Sequence, residues 1–200
     1  MKLTNEELKK YYFGAYFFEE TPEGWLQAFQ YSKAQMAYFK GASDFWYDRC
    51  MASTAKTIEF VTEASACSFE YKFIWTGSED SFEMAVDGML SRIVYVKDIP
   101  KEGRIEWTLP AGRKTVVIYL PADATVLVRR FEIDGEMSRP QKSAKVLWLG
   151  ESITQGYGPL RAGQTYVSVA NRLLDYDLIN QGIDPRPRLN TGRNRIGGAA

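Results

Sequence analysis

Two hundred residues at 45% apolar content suffice for one substantial core, or for a core with a small second unit beside it. Lys plus Arg and Asp plus Glu each total 25, so no net field draws nucleic acid or an anionic membrane surface, and neither is an expected partner. The first residues mix Lys2, Glu6, Glu7, Lys9 and Lys10 with aromatics, unlike a secretory leader. No apolar run reaches the roughly 18 residues of a membrane helix, and a cytoplasmic location is expected.

Aromatic residues make up 14% of the chain and cluster at Tyr11 to Phe18, Trp25 to Tyr31 and Phe45-Trp46-Tyr47. Such clusters can stack on sugars, but at strand spacing they are expected in a core first. Between them, Ser32-Lys-Ala-Gln35 has the form of a capping box and predicts a short helix ending by Gly41.

From residue 57 to residue 133, short runs alternate apolar and polar side chains: 57–61, 67–75, 81–86, 92–96, 104–109, 115–120 and 125–133. Turn formers such as Asp87-Gly88 and Pro110-Ala-Gly112 separate them. The pattern predicts a mainly β fold, with residues 1–134 an antiparallel β-sandwich of the jelly-roll type. In the 67–75 run Phe69, Tyr71, Phe73 and Trp75 are expected to face the core, leaving Ser68, Glu70 and Lys72 for the other side.

Residues 135–143 contain Gly and Pro and lack periodicity, as a linker does. Lys145-Val-Leu-Trp-Leu149 then reads as a parallel-sheet strand buried on both faces and ending at Gly150. Gln164 to Leu174 places Val167, Ala170, Leu173 and Leu174 on one helical stripe, and 176–179 returns as a strand. Residues 144–183 thus form a βαβ unit, too small to cover its own apolar faces. Docking on the sandwich, pairing with a second copy of the chain, or marginal order is expected. Residues 184–200 are dominated by Arg, Gly and Pro and read as a non-native or disordered tail.

Cys50 and Cys67 have no metal-ligand spacing and are read as free core thiols, and no metal or other cofactor is expected. The chain contains no histidine, which removes the commonest general base. Ser152, in Gly150-Glu-Ser-Ile-Thr-Gln-Gly156, falls at the carboxyl end of the buried strand just before a helix-bearing segment. A serine there projects from a sharp turn where ligands bind to parallel sheets, with backbone N–H groups beside it. Its alternative role is a helix N-cap.

The Gly150 to Gly156 segment resembles Gly-Asp-Ser-x-x-x-Gly, the first block of the SGNH/GDSL hydrolases, with Ser152 at the position of the family nucleophile. Leu178-Ile-Asn-Gln-Gly182 resembles the second block, whose glycine lends its N–H to the oxyanion hole, and matches Gly182 to that role. A jelly-roll domain joined by a linker to a flavodoxin-like SGNH domain is similar to the layout of bacterial carbohydrate esterases that deacetylate plant polysaccharides. The resemblance covers about residues 10 to 183. It implies a serine esterase acting on an acetylated carbohydrate or other small acyl ester.

The sequence departs from the family in three respects. Glu151 stands where Asp is usual. The Gly-x-Asn-Asp block is absent, because Gly192-Arg-Asn194 follows Gly182 too soon and lacks the Asp. The Asp-x-x-His block that supplies acid and base is missing. The expectation is therefore a truncated, inactive chain of an esterase. A carbohydrate-binding or structural sandwich without catalysis is the alternative.

Overall fold

The alternating runs become the strands of a mainly β structure in a computed structural model that describes residues 1–77, 80–159 and 161–183. The expected tail at 184–200 lies outside the described residues.

In chain order, α1 (Asn5–Lys9) is followed by β1 (Tyr12–Phe13), β2 (Phe17–Glu20) and β3 (Leu26–Phe29). Two helices, α2 (Lys33–Ala42) and α3 (Asp44–Cys50), come next. The sandwich continues through β4 (Thr57–Thr62), β5 (Ala66–Thr76), β6 (Ser81–Val86), β7 (Met89–Tyr95), β8 (Glu102–Thr108), β9 (Lys114–Tyr119) and β10 (Ala124–Ile133). After β11 (Met137–Ser138) come β12 (Lys145–Gly150), α4 (Ser152–Gln155), α5 (Tyr166–Leu174) and β13 (Asp177–Gly182).

Among the described residues one sheet runs β1-β4-β9-β6-β7 with β11 also on β4, and a second runs β2-β3-β10-β5-β8. Their inner faces share one core, in which Phe60, Phe82 and Ile118 of the first sheet pack with Phe69, Val128 and Phe131 of the second. The Phe69 ring lies 5.7 Å from Phe82 and 5.8 Å from Trp107, in edge-on contacts that favour ring quadrupoles. Asp87 and Gly88 both have positive φ (49° and 79°), which is what a two-residue β6–β7 hairpin requires.

The expected parity holds in β5 through Phe73 and then fails. Cys67, Phe69, Tyr71 and Phe73 are buried, but Trp75 is only half-buried, with the Arg49 guanidinium 4.3 Å from its ring centre. The pairing shifts by one between Thr125 and Val126, which face Trp75 and Phe73, so Ile74 is an extra residue on β5. Such a bulge re-aims the residue beyond it.

The Ser32–Gln35 capping box is present and α2 extends to Ala42. A second box, Thr4 with Glu7, starts α1. Part of the 135–143 linker lies on the sandwich. Met137 and Ser138 pair with Thr62 and Val61, and Tyr11 donates its hydroxyl to the Met137 carbonyl at 2.9 Å. Both cysteines are free and buried.

β12 and β13 pair in parallel with Gly150 opposite Gly182, so 144–183 is a βαβ unit. It docks on the sandwich, as one of the three expectations held. Glu83, buried in β6, accepts from the Gly163 N–H at 3.2 Å and pairs with Arg161 at 3.1 Å. Lys142 bridges Glu59 of β4 (2.5 Å) and Asp175 (2.7 Å).

Two apolar expectations for this unit are corrected. β12 is not buried on both faces, since Leu147 is exposed and Leu149 is 70% exposed. In α5, Val167 is buried but Leu173 is 86% exposed and Leu174 is also exposed. Only one side of the unit meets the sandwich, and no described residue covers the other.

Candidate nucleophile site

The site is built at the carboxyl end of the β12–β13 pair. β12 stops at Gly150, Glu151 is the extended N-cap residue, and α4 begins with Ser152. Glu151 makes no side-chain cap, and Ser152 lies inside the helix, so the serine hydroxyl does not serve as an N-cap. It makes no hydrogen bond to another described residue and is partly exposed. The backbone N–H groups of Ser152, Ile153 and Thr154 have no intrahelical acceptor, as the first turn of any helix dictates. These N–H groups belong to the same short turn as Ser152.

Both glycines that the sequence singles out here are fixed by close approach. A Cβ at Gly150 would overlap the Thr154 side chain. One at Gly182 would lie 2.5 Å from the Gln155 nitrogen and 2.7 Å from Thr154 backbone carbon. Gly182 therefore lets β13 press against the turn that carries Ser152. Its N–H is already engaged, donating to Asn180 Oδ1 at 2.9 Å. An oxyanion would reach that donor only if Asn180 released it.

A buried polar network that sequence reasoning missed surrounds this turn. Asn180 Nδ2 donates to the Thr154 carbonyl at 2.6 Å and to Thr54 Oγ1 at 3.0 Å. The Thr54 hydroxyl donates to the Gln155 carbonyl. Gln155 Nε2 reaches the Arg49 carbonyl at 3.0 Å, and Gln181 Nε2 reaches the Gln30 carbonyl at 2.8 Å. Thr154 Oγ1 and the Tyr166 hydroxyl share a hydrogen bond of 2.8 Å. Amides at 180 and 181, directly after the apolar Leu178 and Ile179, were a visible signal; Thr54, in a loop without periodicity, had none.

Beneath the network Lys56 is buried, its Nζ donating to Gln30 Oε1 at 2.5 Å and to the Ala52 carbonyl. Burial pushes its pKa down to about 7. The Cys50 thiol is pushed up to about 12 by burial and is no nucleophile at neutral pH. No group of three or more His, Cys, Asp or Glu among the described residues is placed to hold a metal. No described helix is long and apolar enough to cross a membrane.

No protein-family model and no curated protein matches the sequence. Solved structures do match in fold. A salicylyl acyltransferase from a tetracycline biosynthetic pathway is similar with a TM-score of 0.73 and 20% identity, over 86% of this chain and 51% of that one. A protein described as a GDSL-like lipase from Bacteroides ovatus gives 0.57 and 20%, over 76% and 50%. A family two carbohydrate esterase from Cellvibrio japonicus gives 0.59 and 14%, over 93% and 52%. The chain spans about half the length of these structures. It shares the fold of that half with an acyltransferase and with enzymes of the GDSL and carbohydrate-esterase kind.

Proposed function

We propose that this chain is part of an SGNH/GDSL-type serine ester hydrolase that acts by acyl transfer through Ser152 on an acetylated carbohydrate or other small acyl ester. The observation that carries the reading is the placement of Ser152, with a hydroxyl that caps nothing and bonds to nothing described, beside free N–H groups at the carboxyl end of a parallel strand. A serine kept only to start the helix would have its oxygen on the N–H of a residue two or three positions on. The fold shared with an acyltransferase and carbohydrate esterases supports the same class.

In acyl transfer the hydroxyl attacks the ester carbon, its proton passes to a base, and the carbonyl oxygen gathers negative charge that N–H donors stabilise. Ser152 supplies the nucleophile, and the start of α4 supplies donors. Gly182 is a further donor once Asn180 turns away. The base is not in this sequence, which has no histidine. An ordinary carboxylate, with a pKa near 4, is a weak base toward a serine hydroxyl. We propose further that these 200 residues are inactive alone for want of that base, and that the exposed Leu147, Leu149 and Leu173 are a face for another part of the parent protein or a second copy of the chain.

The competing reading, a sugar-binding sandwich, loses two of its platforms, because Trp25 and Trp107 are buried. The test begins with the gene. DNA after the codon for Ile183, read in another frame, should continue with Gly-x-Asn-Asp and later Asp-x-x-His. The protein so extended should turn over p-nitrophenyl acetate while the 200-residue chain does not. Absence of both blocks in every frame, or turnover by the extended protein that survives Ser152→Ala, refutes the proposal; Ser152-dependent turnover by the short chain refutes its inactivity.

A further inference from the structure

The turn that carries Ser152 is held from the sandwich at several points, and one hydroxyl among them makes two of the bonds. Thr54 lies in the loop between α3 and β4 and is 1% exposed. A threonine hydroxyl has one proton to give. Thr54 gives it to the Gln155 carbonyl and accepts Asn180 Nδ2 at 3.0 Å. Asn180, also buried, uses its remaining donor on the Thr154 carbonyl at 2.6 Å and its oxygen on the Gly182 N–H at 2.9 Å.

The arrangement answers a specific need. α4 has four residues, so its carbonyls run out of intrahelical N–H partners almost at once. Ser152 and Ile153 carbonyls take the N–H groups of Gly156 and Tyr157. Those of Thr154 and Gln155, in buried residues, are left to side chains, namely Asn180 and Thr54. A buried carbonyl without a partner is costly, so the turn keeps this conformation only while both side chains stay in place. Thr54 touches both and ties the nucleophile turn and the end of β13 to one point on the sandwich.

We propose that Thr54 is a positioning residue for acyl transfer at Ser152: it fixes the turn that aims the nucleophile and the Asn180 side chain that sets the Gly182 backbone. The inference rests on the esterase reading for its catalytic half only. Geometry at a reacting centre is worth a great deal, since a misplacement of about 1 Å can lower a rate by roughly 10²-fold. The sandwich is then a working part of the site.

Thr54→Val keeps the shape and removes both hydrogen bonds, while Thr54→Ser keeps the hydroxyl. Hydrogen exchange on the 200-residue chain should show the Gln155, Gly156 and Gly182 amides exchanging roughly tenfold faster in Thr54→Val, and restored in Thr54→Ser. Amides of β5 and β9 should keep their wild-type rates. In the protein extended through the missing blocks, Thr54→Val should lower kcat by roughly tenfold to a hundredfold with KM little changed. Unchanged exchange at 155, 156 and 182, or an equal change in β5 and β9, overturns the proposal. So does an extended enzyme whose kcat is indifferent to Thr54→Val. If the exchange pattern appears but the extended wild type hydrolyses no ester, the esterase reading has failed and the catalytic half falls with it.

Discussion

Lys56 gives the sandwich a pH dependence that can be worked out in advance. It is 1% exposed, and its ammonium is met by a side-chain amide oxygen and a backbone carbonyl rather than by a carboxylate. Burial lowers its pKa from 10.5 to about 7. Between those values the unfolded chain holds a proton that the folded chain has lost, so stability rises with pH across the window. Below about pH 7 both states are protonated and the penalty is constant, at about 5 kcal/mol for a shift of that size. Between pH 6 and pH 9 roughly 3 kcal/mol of it is relieved.

Lys56→Met keeps the volume and removes the titration. The Gln30 and Ala52 oxygens lose a donor, a pH-independent cost of about 1–3 kcal/mol for each group left unsatisfied. The absolute stability of the variant can therefore fall on either side of wild type. The pH dependence of the difference cannot. Cys50, pushed up to about 12, and Tyr31, pushed higher still by burial, stay neutral in the window. Asp80, pushed up to about 7 by burial, is common to both proteins and cancels. Urea unfolding of both proteins at pH 6 and pH 9 should find Lys56→Met gaining on wild type by about 3 kcal/mol at the lower pH. An equal difference at the two values refutes a neutral buried lysine.

Phe69→Ala empties a site that is fully buried among Phe82, Trp107 and Phe131, and should cost about 3–5 kcal/mol in the same unfolding assay; a loss under about 1 kcal/mol would mean that the two sheets do not share this core. Gly182→Ala puts a methyl 2.5 Å from the Gln155 nitrogen, against backbone, and should raise proteolytic cleavage within 151–157 while the sandwich stays resistant. Wild-type resistance in that segment would show that β13 does not press on the turn.

Much of the sandwich was legible because alternation reports burial directly: each of the seven runs between 57 and 133 became a strand with ends displaced by a few residues. Trp75 escaped because a bulge is a pairing event, set by β10 as much as by β5. The Thr4–Glu7 box was as readable as the Ser32–Gln35 box and went unread. In the βαβ unit, apolar content was mistaken for burial. Leu149 and Leu173 are apolar yet exposed, and no described residue covers them. The register sets Gly182 opposite Gly150, two residues before Ser152. The motif could not show that Asn180 occupies the Gly182 N–H or that Thr54 anchors the turn, since those contacts join residues more than a hundred positions apart or depend on a side chain's rotamer.

The central claim is that Ser152 is an acyl-transfer nucleophile, and acetate release from acetylated xylo- and manno-oligosaccharides tests it most directly. The protein extended through the missing blocks should release acetate, and Ser152→Ala in the same protein should abolish release. Release that survives Ser152→Ala, or an extended protein inactive on every acyl ester offered, would contradict the account and leave the sandwich as a binding module.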